Sequence, residues 1–141
     1  MKKAVKIFAK YLNSRDLKLT KERKTVLEEI FLHTGHLEAE DLWHNLRKKK
    51  KRASRATIYR TLDLLVDSGI VRKVDFGHGH SHYEQVLGHA HHEHMICIKC
   101  GKVIEFPDEK IERLIKKLCE KSGFKHTSHC FQIFGYCKEC R

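Results

Sequence analysis

Ser54-Arg55-Ala56-Thr57-Ile58-Tyr59-Arg60-Thr61-Leu62-Asp63-Leu64-Leu65-Val66-Asp67-Ser68-Gly69, followed at once by Ile70-Val71-Arg72-Lys73-Val74-Asp75-Phe76, a Gly77-His78-Gly79 turn and Ser81-His82-Tyr83-Glu84, reads as a capped helix running into a β-hairpin. Ser54 is a good N-cap because its hydroxyl can accept a hydrogen bond from the first turn. Ile58, Leu62 and Leu65 recur at helical spacing, and Gly69 suits the left-handed residue that ends a helix. The two β-prone runs around a glycine turn predict a pair of strands. Upstream, Val5, Phe8, Ala9 and Leu12, then Val26, Leu27, Ile30 and Phe31, then Ala39, Leu42, Trp43 and Leu46 mark three more amphipathic helices. Three or four helices closed by a hairpin make a winged helix.

In that fold, the helix with polar residues at its N-terminal end enters the major groove of duplex DNA, which is wide enough to admit it. Here the helix offers Arg55, Thr57, Tyr59 and Arg60. Arginine can bond bidentately to guanine, whereas threonine and tyrosine more often touch phosphates or thymine methyls. The charge distribution agrees. Residues 1–75 hold 19 of the 29 lysines and arginines against 10 of the 18 acidic residues, so the net charge of +11 lies mostly in the helical half. An excess of that kind calls for an anionic partner. The run Arg47-Lys48-Lys49-Lys50-Lys51-Arg52 by itself is equally a solvated surface, but its place just before the recognition helix suits the phosphate backbone.

The other half is built around His91-His92-Glu93-His94-Met95-Ile96-Cys97-Ile98-Lys99-Cys100. If this stretch is extended, His92 and His94 face one way while His91 and Glu93 face the other, which predicts two mixed imidazole–carboxylate sites. Cys97-x-x-Cys100 and Cys137-x-x-Cys140 form two ligand knuckles for a four-cysteine structural zinc, the alternative being a redox dithiol. Seven of the twelve histidines fall between residues 78 and 94, more than packing requires. Imidazoles and carboxylates suit Fe(II), Mn(II), Zn(II), Co(II) or Ni(II), whereas thiolates should hold zinc permanently. The two ligand classes therefore suggest sensing and structure respectively. His78, His80 and His82 read first as exposed wing residues, and His33, His44 and His126 receive no role. Cys119 falls on the apolar face of a helix with Ile111, Leu114, Ile115 and Leu118, beginning after Pro107-Asp108, and is expected in the core. Cys130 lies in the β-prone run 129–134 and is read as structural.

At 141 residues the chain has room for one ordinary domain or two small ones. Lys6 and Lys10 interrupt any apolar run that could serve as a signal peptide, and no membrane-spanning run is visible. Six cysteines without a secretion signal fit a reducing compartment, and the expected location is the cytoplasm. A zinc hydrolase does not fit, because there is no His-Glu-x-x-His pattern and no reason for so basic a helical half. A metal-storage or metallochaperone protein would need the histidines but not a recognition helix.

The chain resembles the ferric uptake regulator (Fur) superfamily of metal-dependent bacterial repressors over nearly its whole length. The carriers of the resemblance are His36-Leu37-Glu38-Ala39-Glu40-Asp41-Leu42, Ala56-Thr57-Ile58-Tyr59-Arg60-Thr61-Leu62, His91-His92-Glu93-His94, Cys97 through Phe106, and Cys137-x-x-Cys140. The resemblance implies an α+β protein. Its N-terminal winged-helix DNA-binding domain with hinge would span residues 1–84, and a small α/β metal-binding dimerisation domain residues 85–141. It implies a regulatory metal site at His36, Glu84, His92, His94 and Glu105, and an additional site at His91, Glu93, Glu112 and His129. DNA contacts would come from Arg55, Thr57, Tyr59 and Arg60, with Lys18 near the minor groove. The implied cofactors are structural Zn(II) and a regulatory divalent metal, Fe(II) first and Zn(II) or Mn(II) next. The implied partners are a palindromic double-stranded operator and a second copy of the chain, with tetramers an extension. Glu22 stands where the family commonly has Gln or Pro. His89 adds a rival ligand in a link from Glu84 that is one residue longer than in some members. Members that sense peroxide tend to carry Asp at the positions of Glu84 and Glu105, so glutamate at both favours metal sensing, with zinc- or peroxide-responsive repression as the alternatives.

Overall fold

A computed structural model describes residues 1–141 except Thr34, His78, His89, Ala90, His91 and Ser128. The chain divides into two compact units, Met1–His89 and Ala90–Arg141.

In the first unit, helices α1 (Lys2–Asn13), α2 (Lys21–Leu32), α3 (Ala39–Lys48) and α4 (Arg55–Asp67) fall where the apolar periodicity places them. Thr20 caps α2 by accepting from the Arg23 amide, and Ser54 caps α4 by accepting from the Thr57 amide at 3.1 Å. Ser68 caps the C-terminal end of α4, and Gly69 follows with φ +72°, the left-handed conformation that glycine adopts without a Cβ clash. Phe8, Leu12, Val26, Leu27, Ile30, Leu42, Leu46, Ile58, Leu62 and Leu65 form one core, joined by Ile70, Val71 and Tyr83. Each such side chain contributes about 1.5–3 kcal/mol by leaving water.

The expected hairpin is β2 (Val71–Asp75) and β3 (Ser81–Gln85), paired antiparallel from Val71–Gln85 to Asp75–Ser81. A two-residue strand between α2 and α3, β1 (Leu37–Glu38), adds to β3 in the order β1-β3-β2. It was not anticipated, since two residues carry no readable alternation. Its register sets Leu37 opposite Tyr83 and Glu38 opposite His82.

The second unit has a three-stranded sheet in the order β5-β4-β6, from β4 (Glu93–Cys97), β5 (Val103–Phe106) and β6 (Gln132–Gly135). Strand β5 is antiparallel to β4, whereas β6 is parallel to it. Parallel pairing needs a long crossover, here α5 (Glu109–Lys121), capped by Asp108, whose side chain accepts from the Lys110 amide at 2.8 Å. The expectation that α5 buries an apolar face is corrected: none of its residues is buried, Leu114 is 56% and Leu118 55% exposed, and Cys119 is only half-buried. Cys130 is exposed and precedes the strand. Phe124, Ile133, Phe134 and Tyr136 are likewise exposed, so this unit presents much of its apolar surface outward. Among the described residues, no helix is long and apolar enough to cross a membrane.

Candidate metal centres and nucleic-acid interface

The four cysteines of the two knuckles converge: the sulfurs of Cys97, Cys100, Cys137 and Cys140 all lie within 4.8 Å of one another. Backbone turns aim them. The Gly101 amide bonds the Cys97 carbonyl at 2.9 Å, with Gly101 at φ +73°, and the Cys140 amide bonds the Cys137 carbonyl at 2.9 Å. The Cys137 amide donates to Cys97 Sγ at 3.4 Å, and this bond leads the contacts that bring the Cys97 thiol down to about 6. Its neighbours move the other way. Cys140 is pushed up to about 12 because its thiol proton is held by Cys137 and Cys100, and burial raises Cys137. Four thiolates cannot share this space without a cation, and Zn(II) in tetrahedral sulfur coordination fits the donors. Lys102 ties the two knuckles together through Glu139 at 2.9 and 3.0 Å.

Strand β4 carries the mixed ligands. Its successive residues Glu93 and His94 are each only 2% exposed, and alternation sends them to opposite faces of the sheet. On one face Glu93, Glu112 and His129 bring ligand atoms within 4.8 Å of each other. His129 Nε2 lies 2.8 Å from Glu93 Oε1 and 3.3 Å from Glu112 Oε1, and the Phe131 amide donates to the other Glu93 oxygen at 3.0 Å. His91, expected here too, lies outside the described residues. On the other face the His92 and His94 rings meet edge-on with centroids 5.1 Å apart, and His92 Nε2 lies 3.8 Å from Glu105. His126, to which the sequence assigned no role, has Nε2 3.1 Å from His129 Nδ1, where it can fix the tautomer that leaves His129 Nε2 for a metal.

The remaining mixed ligands sit in the first unit. His36 Nε2 is 3.0 Å from Glu84 Oε2, and the other oxygen of this buried carboxylate is 3.2 Å from Arg72 Nη1. Arg72 faces Glu84 across the β2–β3 ladder, so strand register fixes that contact.

The N-terminal end of α4 exposes Tyr59 and Arg60, with Thr57 half-buried beside Ser54, and Lys18 is also exposed. Arg55 is exposed but engaged: its guanidinium bonds Glu40 through Nε and Nη2 at 3.0–3.1 Å and stacks 4.0 Å above the Trp43 ring. The basic run is similarly divided. Arg47 covers the other part of Trp43 at 4.7 Å, and Lys49 turns inward, its ammonium 2.7 and 2.9 Å from the two oxygens of Glu29. Glu29 is completely buried, and His33 adds a contact at 3.1 Å. Burial pushes the Glu29 carboxyl up, but the bonds from Lys49 and His33 outweigh it and hold it below its ordinary value. Sequence reading missed this cluster, although Glu29 sits between Val26 and Ile30 on the apolar face of α2.

A helix α4 with an exposed N-terminal end on a winged-helix unit, together with metal-ligand clusters on an α/β unit, fits a metal-responsive transcriptional regulator rather than an enzyme, and the family match bears this out. The model of the ferric uptake regulator family matches residues 14–134, and the chain belongs to that family. A ferric uptake regulation protein of Campylobacter jejuni is 36% identical over 135 residues, which cover 94% of this chain and 85% of that one. The structure of the Helicobacter pylori ferric uptake regulator, described as having three functional metal binding sites, superposes with TM-score 0.80 at 30% identity, covering 99% of this chain and 92% of that one. The Pseudomonas aeruginosa ferric uptake regulator, solved with manganese, gives 0.78 at 30% identity over 90% and 95% of the two chains.

Proposed function

We propose that the protein is a dimeric repressor that binds a palindromic operator when one regulatory divalent metal, Fe(II) first among the candidates, is held by His36, Glu84, His92, His94 and Glu105. The observation that carries this reading is the division of the ligands: a carboxylate–imidazole pair, His36 and Glu84, belongs to the winged-helix unit, and His92, His94 and Glu105 belong to the other. Either set alone leaves a divalent ion with open positions, whereas the two together supply five ligands. When bound, the ion supplies a positive centre that offsets the two carboxylates and requires neutral imidazoles. His36, Glu84, His92, His94 and Glu105 then favour one relative orientation of the two units, a population shift whose size is set by their joint affinity. Cys97, Cys100, Cys137 and Cys140 hold structural Zn(II), and Glu93, Glu112 and His129, with His91, hold an additional ion.

The exposed apolar side chains of the second unit support self-association, because single soluble units rarely leave so much apolar surface to water. A two-fold dimer would present two α4 helices to half-sites about 34–36 Å apart. Thr57, Tyr59 and Arg60 would contact DNA directly, with Lys18 at the backbone and Arg55 acting from its Glu40–Trp43 seat. The division into residues 1–84 and 85–141 falls close to the boundary between the two compact units, which lies after His89, and the reducing cytoplasm suits the free thiols.

The test is an anaerobic operator-binding titration with Fe(II), Mn(II), Zn(II) and Ni(II), with bound metals counted. His92→Ala is expected to remove metal-stimulated binding while the zinc-dependent dimer persists. Undiminished stimulation in that variant overturns the regulatory assignment.

A further inference from the structure

We propose that Glu38, His80 and His82 form a further divalent-metal site on the wing, separate from the three ligand sets above. Strand pairing builds its fixed part: Glu38 of β1 lies directly opposite His82 of β3, so the two side chains project from the same face of the sheet. His82 Nε2 is 3.4 Å from Glu38 Oε1, and His80 Nε2 approaches the same oxygen at 3.8 Å. The ligand–ligand edge of a tetrahedral site with metal–nitrogen bonds of about 2.0–2.1 Å is about 3.3 Å, so the His82–Glu38 pair already stands at the spacing required. His80, two residues earlier and 58% exposed at its side chain, has the freedom to swing in and close the site. His82 is only 17% exposed and is held by the Phe76 ring at 4.6 Å between centroids, so one imidazole is preset while the other is adjustable.

Two imidazoles and one carboxylate suit a borderline divalent ion such as Zn(II) or Ni(II), with open positions left for water. Occupancy would pin the hairpin arm to β1, where Glu38 also begins α3 and donates its amide to Asp41 at 3.3 Å. It would also add positive charge to the wing. The Phe76 ring continues the contact line to His36, 4.9 Å between centroids, so the wing site abuts one ligand of the proposed sensor without sharing any of its residues.

The experiment is equilibrium dialysis against Ni(II) of the full-length protein loaded with one zinc per chain, enough for the four cysteines alone, with bound nickel counted, for wild type, His80→Gln, Glu38→Gln and His92→Ala. His80→Gln and Glu38→Gln are each expected to lower binding by about one equivalent per chain, and His80→Gln combined with His92→Ala to lose more than either alone. His80→Gln alters an exposed turn residue and so keeps the test clear of folding. Nickel binding by His80→Gln equal to wild type overturns the wing site, whereas nickel binding by His92→Ala equal to wild type bears only on the sensor.

Discussion

At the scale of single residues, the buried carboxylates carry most of the consequence. Glu29 is fully enclosed, and its charge is compensated from one side by Lys49 and from the other by His33. Since the folded chain holds the Glu29 carboxyl below its ordinary value of 4.5, it binds this proton less readily than the unfolded chain does. The resulting stability is complete above that value and is lost as pH falls through and below it. Glu29→Gln is therefore expected to lower stability by about 1–3 kcal/mol at pH 7, a range kept modest by the 43% exposure of the Lys49 side chain. Urea unfolding from pH 6 to pH 3 should show the gap between wild type and variant closing as Glu29 takes up its proton; a constant gap would count against the ion pair as its source. Glu84 poses the complementary case, because Arg72 already occupies one of the oxygens proposed for the regulatory metal. Arg72→Met keeps the aliphatic stem and removes the competing charge. The variant is expected to bind the metal about fivefold more tightly, about 1 kcal/mol, in competition with a chromophoric chelator; unchanged or weaker binding would make Arg72 a support for Glu84 rather than a competitor.

At the scale of elements, α4 shows how local chemistry and function share one segment. Ser54 Oγ accepts from the Thr57 amide at 3.1 Å and lies 2.9 Å from the Thr57 hydroxyl, so the cap also orients a side chain on the end proposed to face DNA. Ser54→Ala is expected to cost about 1 kcal/mol and to lower the melting temperature of the first unit by about 4–8 °C, measured by circular dichroism. The four N-terminal helices, the hairpin and both cysteine knuckles were legible because each has a short-range cause: apolar spacing, a capping hydroxyl, a left-handed glycine, a Cys-x-x-Cys turn. The parity of β4 was legible for the same reason, as Glu93 and His94 on opposite faces follow from alternation alone. Strand β1 and the Glu29–Lys49 pair were not, because both exist only through contacts distant in sequence. Nor could the sequence show that α5 leaves Leu114 and Leu118 in water: an apolar stripe reports that a face is to be covered, not whether its own chain covers it.

At the scale of the whole molecule, the two units rest on different kinds of stabilisation. The first has a continuous apolar core, whereas the buried apolar side chains described in the second are Ile96 and the cysteines Cys97 and Cys137. Zinc removal by a strong chelator is accordingly expected to collapse amide protection in residues 93–135 while leaving that of α1 to α4 largely intact, as read by hydrogen exchange. The exposed apolar side chains add a second dependence, on another copy of the chain. Leu118 is 55% exposed on an α5 that buries none of its residues, so a charge there disturbs little packing within the chain. If that face meets its own copy across a two-fold axis, Leu118→Glu sets two carboxylates into one apolar interface, which like charge and desolvation both oppose. The variant is expected to sediment as a monomer with its zinc retained and its melting curve for the first unit unchanged. A monomer engages one half-site at a time and loses the gain in effective concentration that a linked second helix provides, so operator affinity should fall by at least about 10²-fold even with saturating metal. A Leu118→Glu protein that remains dimeric and binds the operator normally would place the self-association surface elsewhere on the second unit.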